Sequence, residues 1–157
     1  PIHTLLSRGK YLMPKSSKTE KNLWQSLKKH LPKKTHCQRI ENRVAEGMPD
    51  VYMCIDGAPV WVELKIIKRN GITLQPSQIA WHLSHSRCGG VSFFLASTAS
   101  EPDVFLFESG KALEIQGARA DDLRPMSIWQ GDIKSAPDAL RSAACERWSA
   151  ACGLRTM

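Results

Sequence analysis

The stretch GMPDVYMCIDGAPVWVELK, residues 47–65, alternates apolar and polar side chains on both sides of an Asp-Gly pair. Alternation with a period of two is typical of β-strands, and Asp-Gly is a strong signal for a tight hairpin turn. One face of this hairpin would be entirely apolar, whereas the other carries Asp50, Glu63 and Lys65. The sequence therefore predicts a β-hairpin with one core face and one charged face.

Two registers of the hairpin are open from the sequence. A two-residue loop at Asp56-Gly57 places Asp50 directly opposite Glu63, with the Cβ atoms about 5 Å apart. A loop widened by Ala58-Pro59 places Asp50 opposite Lys65, with Glu63 diagonal. Either register gathers the three charged groups in one patch on one face of the hairpin.

Two facing carboxylates require a compensating cation, because like charges directly opposite each other destabilise a sheet. Mg²⁺ is commonly held by one or two carboxylates, completed by waters and a substrate phosphate. Lys65 would then orient or deprotonate a water, or neutralise charge on phosphorus. The alternative is a solvated strand face with a trivial ion pair, but Trp61 and Ile67 at its ends favour partial burial.

The positive charge of the chain is concentrated at one end. Residues 1–40 hold ten basic residues and one acid, a net charge of +9, whereas residues 41–157 hold twelve basic and fourteen acidic residues, a net charge of −2. Such an end is typical of a surface that meets a polyanion, although a solubilising Lys-rich helix fits equally well. No apolar run approaches the roughly 20 residues of a membrane span, so no membrane role is expected.

The five cysteines are scattered and form no CxxC pair. We therefore expect reduced thiols in an intracellular protein. His82, His85 and Cys88 have a spacing that suggests zinc only weakly, and a surface or partly buried helix face is favoured.

The pattern along the chain predicts an α/β fold with a mixed central sheet. Helices are expected over residues 18–31, 75–87 and 136–152, where Ser135 is the candidate N-cap of the last helix. Strands are expected over residues 35–42, 50–55, 60–67 and 91–96, with the last of these parallel to the strand that precedes the second helix. Residues 103–108 and 111–115 are expected to form a second, C-terminal hairpin.

We expect a single domain with two appendages. Residues 1–16 are interpreted as a basic, flexible leader, of which residues 1–12 are an upstream or added segment and Met13 is the natural start. Residues 17–100 form the expected core, and residues 101–157 form a C-terminal extension of the same domain.

Pro49-Asp50, followed by Glu63-Leu64-Lys65 at the end of a hairpin, resembles the PD-(D/E)xK nuclease signature. Over residues 18–98 the pattern resembles the stand-alone VRR-Nuc and phage-type endonucleases related to archaeal Holliday junction resolvases. The residues that carry this second resemblance are Arg39-Ile40-Glu41, Gly47-Met48-Pro49-Asp50, Trp61 to Lys65, Gln78 and Trp81. The resemblance implies a restriction-endonuclease-like core, and it does not extend to the last sixty residues.

The resemblance also implies roles for individual residues. Asp50 and Glu63, with the Leu64 backbone carbonyl, would hold Mg²⁺ or Mn²⁺. Glu20 on the first helix would join the site, directly or through a water, although the helix macrodipole alone explains an acid there. Gln78 would lie beside Lys65 and position a water or a phosphate; a glutamine that caps the helix is the alternative.

The expected DNA contacts are to the sugar-phosphate backbone and do not read sequence. Arg39 is expected to contact phosphate and Glu41 to brace the Gly47 loop, whereas His82 and His85 either touch the DNA backbone or lie on a solvated helix face. The full set of predicted DNA-binding residues is Lys15, Lys18, Lys21, Lys28, Lys29, Lys33, Lys34, Arg39, Lys68 and Arg69.

The sequence as a whole predicts an Mg²⁺-dependent endodeoxyribonuclease in the cytoplasm of a bacterial or phage-infected cell. Branched DNA as the substrate, and hence a role in DNA recombination, is implied by the resemblance. Junction cutting requires two coordinated sites, so a two-fold symmetric homodimer is expected, with Ala144, Trp148 and Ala151 of the last helix as its candidate interface. The alternatives are a nickase, flap or restriction-type nuclease on duplex or single-stranded DNA, and a DNA-binding protein that does not cut.

Overall fold

The centre of the molecule is a six-stranded sheet whose strands lie in the order in which they occur along the chain. The computed structural model describes residues 18–41 and 45–153. The strands are β1 His36–Arg39, β2 Val51–Ile55, β3 Ala58–Ile67, β4 Ser92–Thr98, β5 Val104–Glu108 and β6 Trp129–Gly131. Neighbouring strands are antiparallel except β3 and β4, which are parallel. The predicted mixed sheet and its parallel pair are confirmed.

The turn between β2 and β3 decides the register of the charged face. Asp56 and Gly57 have φ angles of 49° and 82°, and a type I′ turn requires positive φ at both central residues. Val51 pairs with Val62 across this turn. Asp50, immediately before β2, therefore lies opposite Glu63, which is the tighter of the two registers open from the sequence.

Helices cover both faces of the sheet, which separates two apolar cores. The helices are α1 Glu20–His30, α2 Pro76–Arg87, α3 Ala112–Gly117, α4 Ala120–Met126 and α5 Ala136–Ala151. Leu27 of α1 and Leu140 of α5 share one core with the apolar face of the β2–β3 hairpin. Ile115 of α3 and Leu123 of α4 share the second core with Phe94 of β4. The two faces of the hairpin consequently meet different surroundings.

The first helix is bounded by local signals in the sequence. The Thr19 side chain accepts a hydrogen bond from the Asn22 amide at 3.2 Å and so caps the amino end. Leu23, Trp24 and Leu27 are buried, at the spacing of one helix face. The helix ends shortly before Pro32, which lacks the amide needed to continue it.

The predicted C-terminal hairpin is wrong in its second strand. After β5 the chain makes a short 3-10 turn, Ser109–Lys111, and then enters α3. Ala112 and Ile115 are fully buried whereas Leu113 is 62% exposed, so burial follows the helical spacing of three rather than strand alternation. On the side away from β4, β5 pairs instead with β6, which follows α4 in a segment for which no strand was predicted.

The prediction that one side of the last helix forms a dimer interface is wrong for Ala144. Ala144 is fully buried in the first core, and Trp148 packs against that core. The Trp148 indole Nε1 donates a hydrogen bond to the Pro59 carbonyl oxygen at 2.6 Å. Ala144 is therefore covered by its own chain, whereas Trp148 is half-buried and Ala151 is exposed. Ser135 does precede this helix, but without a side-chain capping hydrogen bond.

All five cysteines are free thiols. No helix in residues 18–41 and 45–153 combines the length and the apolar character that crossing a membrane requires.

Candidate active site

Asp50 is fixed at the entrance to β2 by the neighbouring strand. Its Oδ2 atom accepts a hydrogen bond from the Leu64 amide at 2.9 Å. This bond holds the carboxylate beside β3 and next to Glu63, its opposite neighbour in the hairpin. Burial raises the pKa of Asp50, while the Leu64 amide and then the Lys65 and Arg39 charges oppose that rise.

Glu63 is the buried carboxylate of the pair, with only 1% of its surface exposed. Its Oε1 atom accepts hydrogen bonds from Lys65 Nζ at 3.1 Å and from Gln78 Nε2 at 2.5 Å. Its Oε2 atom is buried and has no hydrogen-bond partner among the described residues. A buried carboxylate oxygen without a partner is costly, so its position requires an explanation.

Gln78 connects the first turn of α2 to the charges of β3. Its Oε1 atom accepts hydrogen bonds from Lys65 Nζ at 3.1 Å and from the Gln75 amide at 3.0 Å. Both placements that were considered for Gln78 therefore agree with the structure: the side chain caps the helix, and it lies beside Lys65. The structure thus brings Asp50, Glu63, Lys65 and Gln78 into one site, while their catalytic roles stay predictions.

The electrostatics of the site favour a proton or a cation at Glu63. Burial, and then repulsion from Asp50, raise the pKa of Glu63 from 4.5 to about 7, although Lys65 lowers it. One ammonium group therefore does not compensate for two partly desolvated carboxylates. A second positive charge at this point would remove the imbalance.

A divalent cation fits these residues. Mg²⁺ takes oxygen ligands and is usually held by one or two carboxylates plus waters, and here Glu63 has a free Oε2 atom and is close enough to Asp50 for that charge to raise its pKa. Within residues 18–41 and 45–153, no group of three or more His, Cys, Asp or Glu side chains is arranged to hold a metal ion. Glu20 therefore does not form a three-ligand set with Asp50 and Glu63.

Glu20 nevertheless lies near the site. It is the first residue of α1 and lines a groove of about 510 Å³ together with Lys65, Lys68 and Thr73. Its charge also contributes to the raised pKa of Glu63. This placement is compatible with the predicted contact through a water.

The chain shares its fold with a Holliday junction resolvase. A structure of Hjc from Archaeoglobus fulgidus superposes on it with a TM-score of 0.51, covering 77% of this chain and 97% of that chain at 13% sequence identity. No protein-family model matches the chain, and no curated protein sequence matches it. At this identity the likeness establishes the fold, and the six-stranded mixed sheet with flanking helices is consistent with the predicted restriction-endonuclease-like core.

The predicted DNA-binding residues differ in their exposure and contacts, and their contact with DNA stays a prediction. Lys21, Lys28, Lys29, Lys33 and Lys34 are exposed on α1 and in the turn that follows it, and Lys68 and Arg69 are exposed after β3. Arg39 lies close enough to Asp50 to lower its pKa. Lys18 donates a hydrogen bond to the Glu101 carbonyl, and Lys15 lies outside the described residues.

Of the two histidines of α2, only His82 departs from the sequence interpretations. His82 is fully buried, so it neither touches DNA nor lies on a solvated face. Its Nδ1 atom lies 3.2 Å from Ser92 Oγ, and burial lowers its pKa to about 3. His85 is half-buried and stacks on Trp81 with the ring centroids 4.6 Å apart.

Sequence reasoning assigned no role to Gly47, which turns out to place the Asp50 loop against α2. Gly47 has a φ of 82°, and a Cβ atom added to it would lie 2.2 Å from the Ser77 carbonyl oxygen and 2.9 Å from the Gln78 amide nitrogen. Only glycine permits both this conformation and this approach. Glu41, expected to brace the loop, is exposed. In the sequence, the glycine three residues before Asp50 was the one feature that pointed to this close approach of the loop to α2.

Proposed function

We propose that this protein is a divalent-metal-dependent DNA endonuclease whose active centre consists of Asp50, Glu63, Lys65 and Gln78. The observation that carries the proposal is the buried Oε2 atom of Glu63, which has no partner among the described residues, while the nearby Asp50 charge raises the pKa of Glu63. Lys65 pairs with Oε1 and leaves the Oε2 atom uncompensated. A site prepared for a cation explains it.

Each residue has a distinct part in this proposal. A bound Mg²⁺ or Mn²⁺ would lower the pKa of a water and neutralise charge that develops on the scissile phosphate. Asp50 and Glu63, with the Leu64 carbonyl, supply the oxygen ligands. Lys65 presents an ammonium group where it can orient a water or meet phosphate charge, and Gln78 fixes that ammonium group.

We further propose that the substrate is branched DNA, such as a four-way junction. The support is the fold shared with an archaeal protein described as a Holliday junction resolvase. Symmetric cutting of a junction requires two active sites, so a homodimer with two-fold symmetry is part of the proposal. The alternatives are nicking, flap cutting or restriction-type cutting of duplex or single-stranded DNA.

Exposed basic residues would hold the DNA through its phosphates. The lysines of α1 and of the following turn, and Lys68 and Arg69, are free to reach a backbone. Affinity should therefore fall steeply with salt concentration and depend little on sequence.

The deciding experiment incubates the full chain with four-way junction, flap, duplex and single-stranded DNA in Mg²⁺, Mn²⁺ or EDTA. We expect cleavage in either metal, none in EDTA, and loss of cleavage in Asp50→Asn and Glu63→Gln. Glu114→Gln is the matched control, because this carboxylate is exposed on α3 and, among the described residues, pairs only with Lys111 at 3.8 Å.

The outcomes test the active centre, the nuclease activity and the junction substrate separately. Equal cutting by Glu63→Gln and the unaltered chain would refute the active centre, and binding without cutting of any substrate would indicate a non-cleaving DNA-binding protein. Paired symmetric nicks in the junction would select resolution over the other nuclease activities. A monomeric mass at working concentration would contradict junction resolution by a homodimer.

A further inference from the structure

A row of five aromatic rings runs across β1, β2, β3 and α2. The ring centroids of His36 and Tyr52 are 6.2 Å apart, those of Tyr52 and Trp61 5.1 Å, and those of Trp61 and Trp81 5.7 Å. Trp81 then stacks on His85 at 4.6 Å. Each ring therefore touches the next, and together they form a continuous aromatic surface.

This row is not part of either hydrophobic core. Both core clusters and the side chains packed against them exclude all five rings. His36 is exposed, and Tyr52, Trp61, Trp81 and His85 are half-buried. A contiguous, partly exposed aromatic surface of this kind is uncommon without a binding role. A groove of about 420 Å³ opens beside Trp61 and His85 and gives a flat ligand room to enter.

The row lies directly beside the candidate active site. Tyr52 is two residues from Asp50 on β2, and Trp61 is two residues from Glu63 on β3, so each aromatic ring shares a face with one carboxylate. Tyr52 and Trp61 also pair with each other across the hairpin. Tyr52 and Trp61 are therefore the next residue pair on this face of the hairpin, roughly 7 Å along the strands from the carboxylate pair.

The charge around the row favours a nucleic acid over an apolar partner. Arg39 on β1 lies near Asp50, and Lys33 and Lys34 precede His36 in the chain. Proteins that bind single strands combine such basic side chains with aromatic platforms on which bases stack. Paired bases inside a duplex cannot use such a platform, because their faces are already covered.

We propose that Tyr52 and Trp61 form a stacking platform for an unpaired DNA base next to the cleaved phosphate. This inference rests on the proposed endonuclease function and specifies its substrate: DNA with unpaired nucleotides at or beside the cleavage point. The basic residues hold the backbone, the aromatic pair holds the base, and the carboxylates face the phosphate between them.

The test compares binding of single-stranded and duplex oligonucleotides to the full chain in EDTA, where no cleavage occurs. We expect Trp61→Leu to weaken single-strand binding on the order of tenfold, with a smaller effect on duplex binding, and Trp61→Phe to restore most of the loss. Trp129→Leu is the matched control, because Trp129 is half-buried on β6 and packs against the first core. Thermal melting reports whether each variant is folded.

A second arm needs no change in the protein. Oligonucleotides in which one base at a time is replaced by an abasic site keep their phosphates, so only stacking is removed. We expect one or two positions beside the cleavage point to weaken binding and to reduce quenching of tryptophan fluorescence.

The outcomes distinguish this inference from the proposed function. If abasic and complete strands bind equally while junction or flap DNA is still cut, the platform is refuted and the endonuclease stands. If Trp61→Leu converts a dimer into a monomer without changing single-strand affinity, the row is an interface between copies and the proposal is overturned. If the unaltered chain neither binds nor cuts any DNA, the proposed function itself fails, and the platform with it.

Discussion

Gln78 Nε2 donates a hydrogen bond to Glu63 Oε1 at 2.5 Å, while the Oε1 atom of the same amide accepts one from Lys65 Nζ at 3.1 Å. One side chain on α2 therefore fixes both charged residues of β3. This amide engages only Oε1 of Glu63, and the Oε2 atom has no partner among the described residues. The helix and the hairpin consequently set the geometry of the site together.

The first prediction concerns this amide. In Gln78→Ala, Lys65 loses a partner that positions it, and we expect cleavage to fall about 10- to 100-fold, as is usual when groups that orient metal ligands are removed. Loss of the hydrogen bond to the Gln75 amide should lower the free energy of unfolding by about 1 kcal/mol. Cleavage rates and urea unfolding measure the two effects.

Gln75→Ala is the matched control, because it keeps the backbone amide that Gln78 accepts from. We expect nearly unchanged cleavage for this variant. Equal rates for the two alanine variants would show that Gln78 only caps the helix.

The second prediction concerns stability and pH in Glu63→Gln. The folded-state pKa of Glu63, about 7, lies above its ordinary value of 4.5, so folding favours the protonated form. The resulting destabilisation grows as pH rises from 4.5 to about 7 and is complete above that range. This difference corresponds to roughly 3 kcal/mol.

Glutamine removes the charge and keeps the shape of the side chain. Without divalent metal, we therefore expect Glu63→Gln to be more stable than the unaltered protein at pH 8.5 by about 1 to 3 kcal/mol, with little difference at pH 4.5. Urea unfolding in EDTA at the two pH values measures this. A variant that is less stable at pH 8.5 would contradict the assigned pKa shift.

The third prediction concerns metal binding, which competes with the proton at Glu63. Because Mg²⁺ binds the ionised carboxylate of the folded state, it should raise the melting temperature more at pH 8.5 than at pH 5.5. Thermal melting with and without Mg²⁺ tests this, with Glu114→Gln as the unaffected control. Stabilisation of equal size at both pH values, or stabilisation that persists in Glu63→Gln, would place the metal elsewhere.

The charged hairpin could be predicted from the sequence because its signals are local. Strand alternation and the Asp-Gly turn lie within residues 47–65, and they limit the partner of Asp50 to Glu63 or Lys65. The choice between these partners required the φ angles of Asp56 and Gly57. The proximity of Gln78 came from resemblance, since residue spacing alone does not place α2 on the sheet.

The features that sequence reasoning missed depend on contacts between distant segments. Residues 111–115 alternate well enough for a strand, and only the core beneath Ala112 and Ile115 makes them a helix. The apolar side of α5 was recognised, but the pattern cannot show that β3 covers it through Pro59 and Trp148. The aromatic row likewise joins residues from four elements.

The last prediction concerns Gly47, whose backbone contact with α2 aligns the Asp50 loop. In Gly47→Ala, the new Cβ atom would lie 2.2 Å from the Ser77 carbonyl oxygen at a φ of 82°, so loop or helix must move. We expect the free energy of unfolding to fall by about 2 kcal/mol or more, on the order of backbone strain plus overpacking, and cleavage to be lost with it.

Gly57→Ala is the control, since Gly57 has the same φ of 82° but nothing within 4 Å of an added Cβ. That variant isolates the conformational cost, about 1 kcal/mol, and should still cleave DNA. If both variants lose stability equally and keep full activity, the contact between the loop and α2 does not position Asp50.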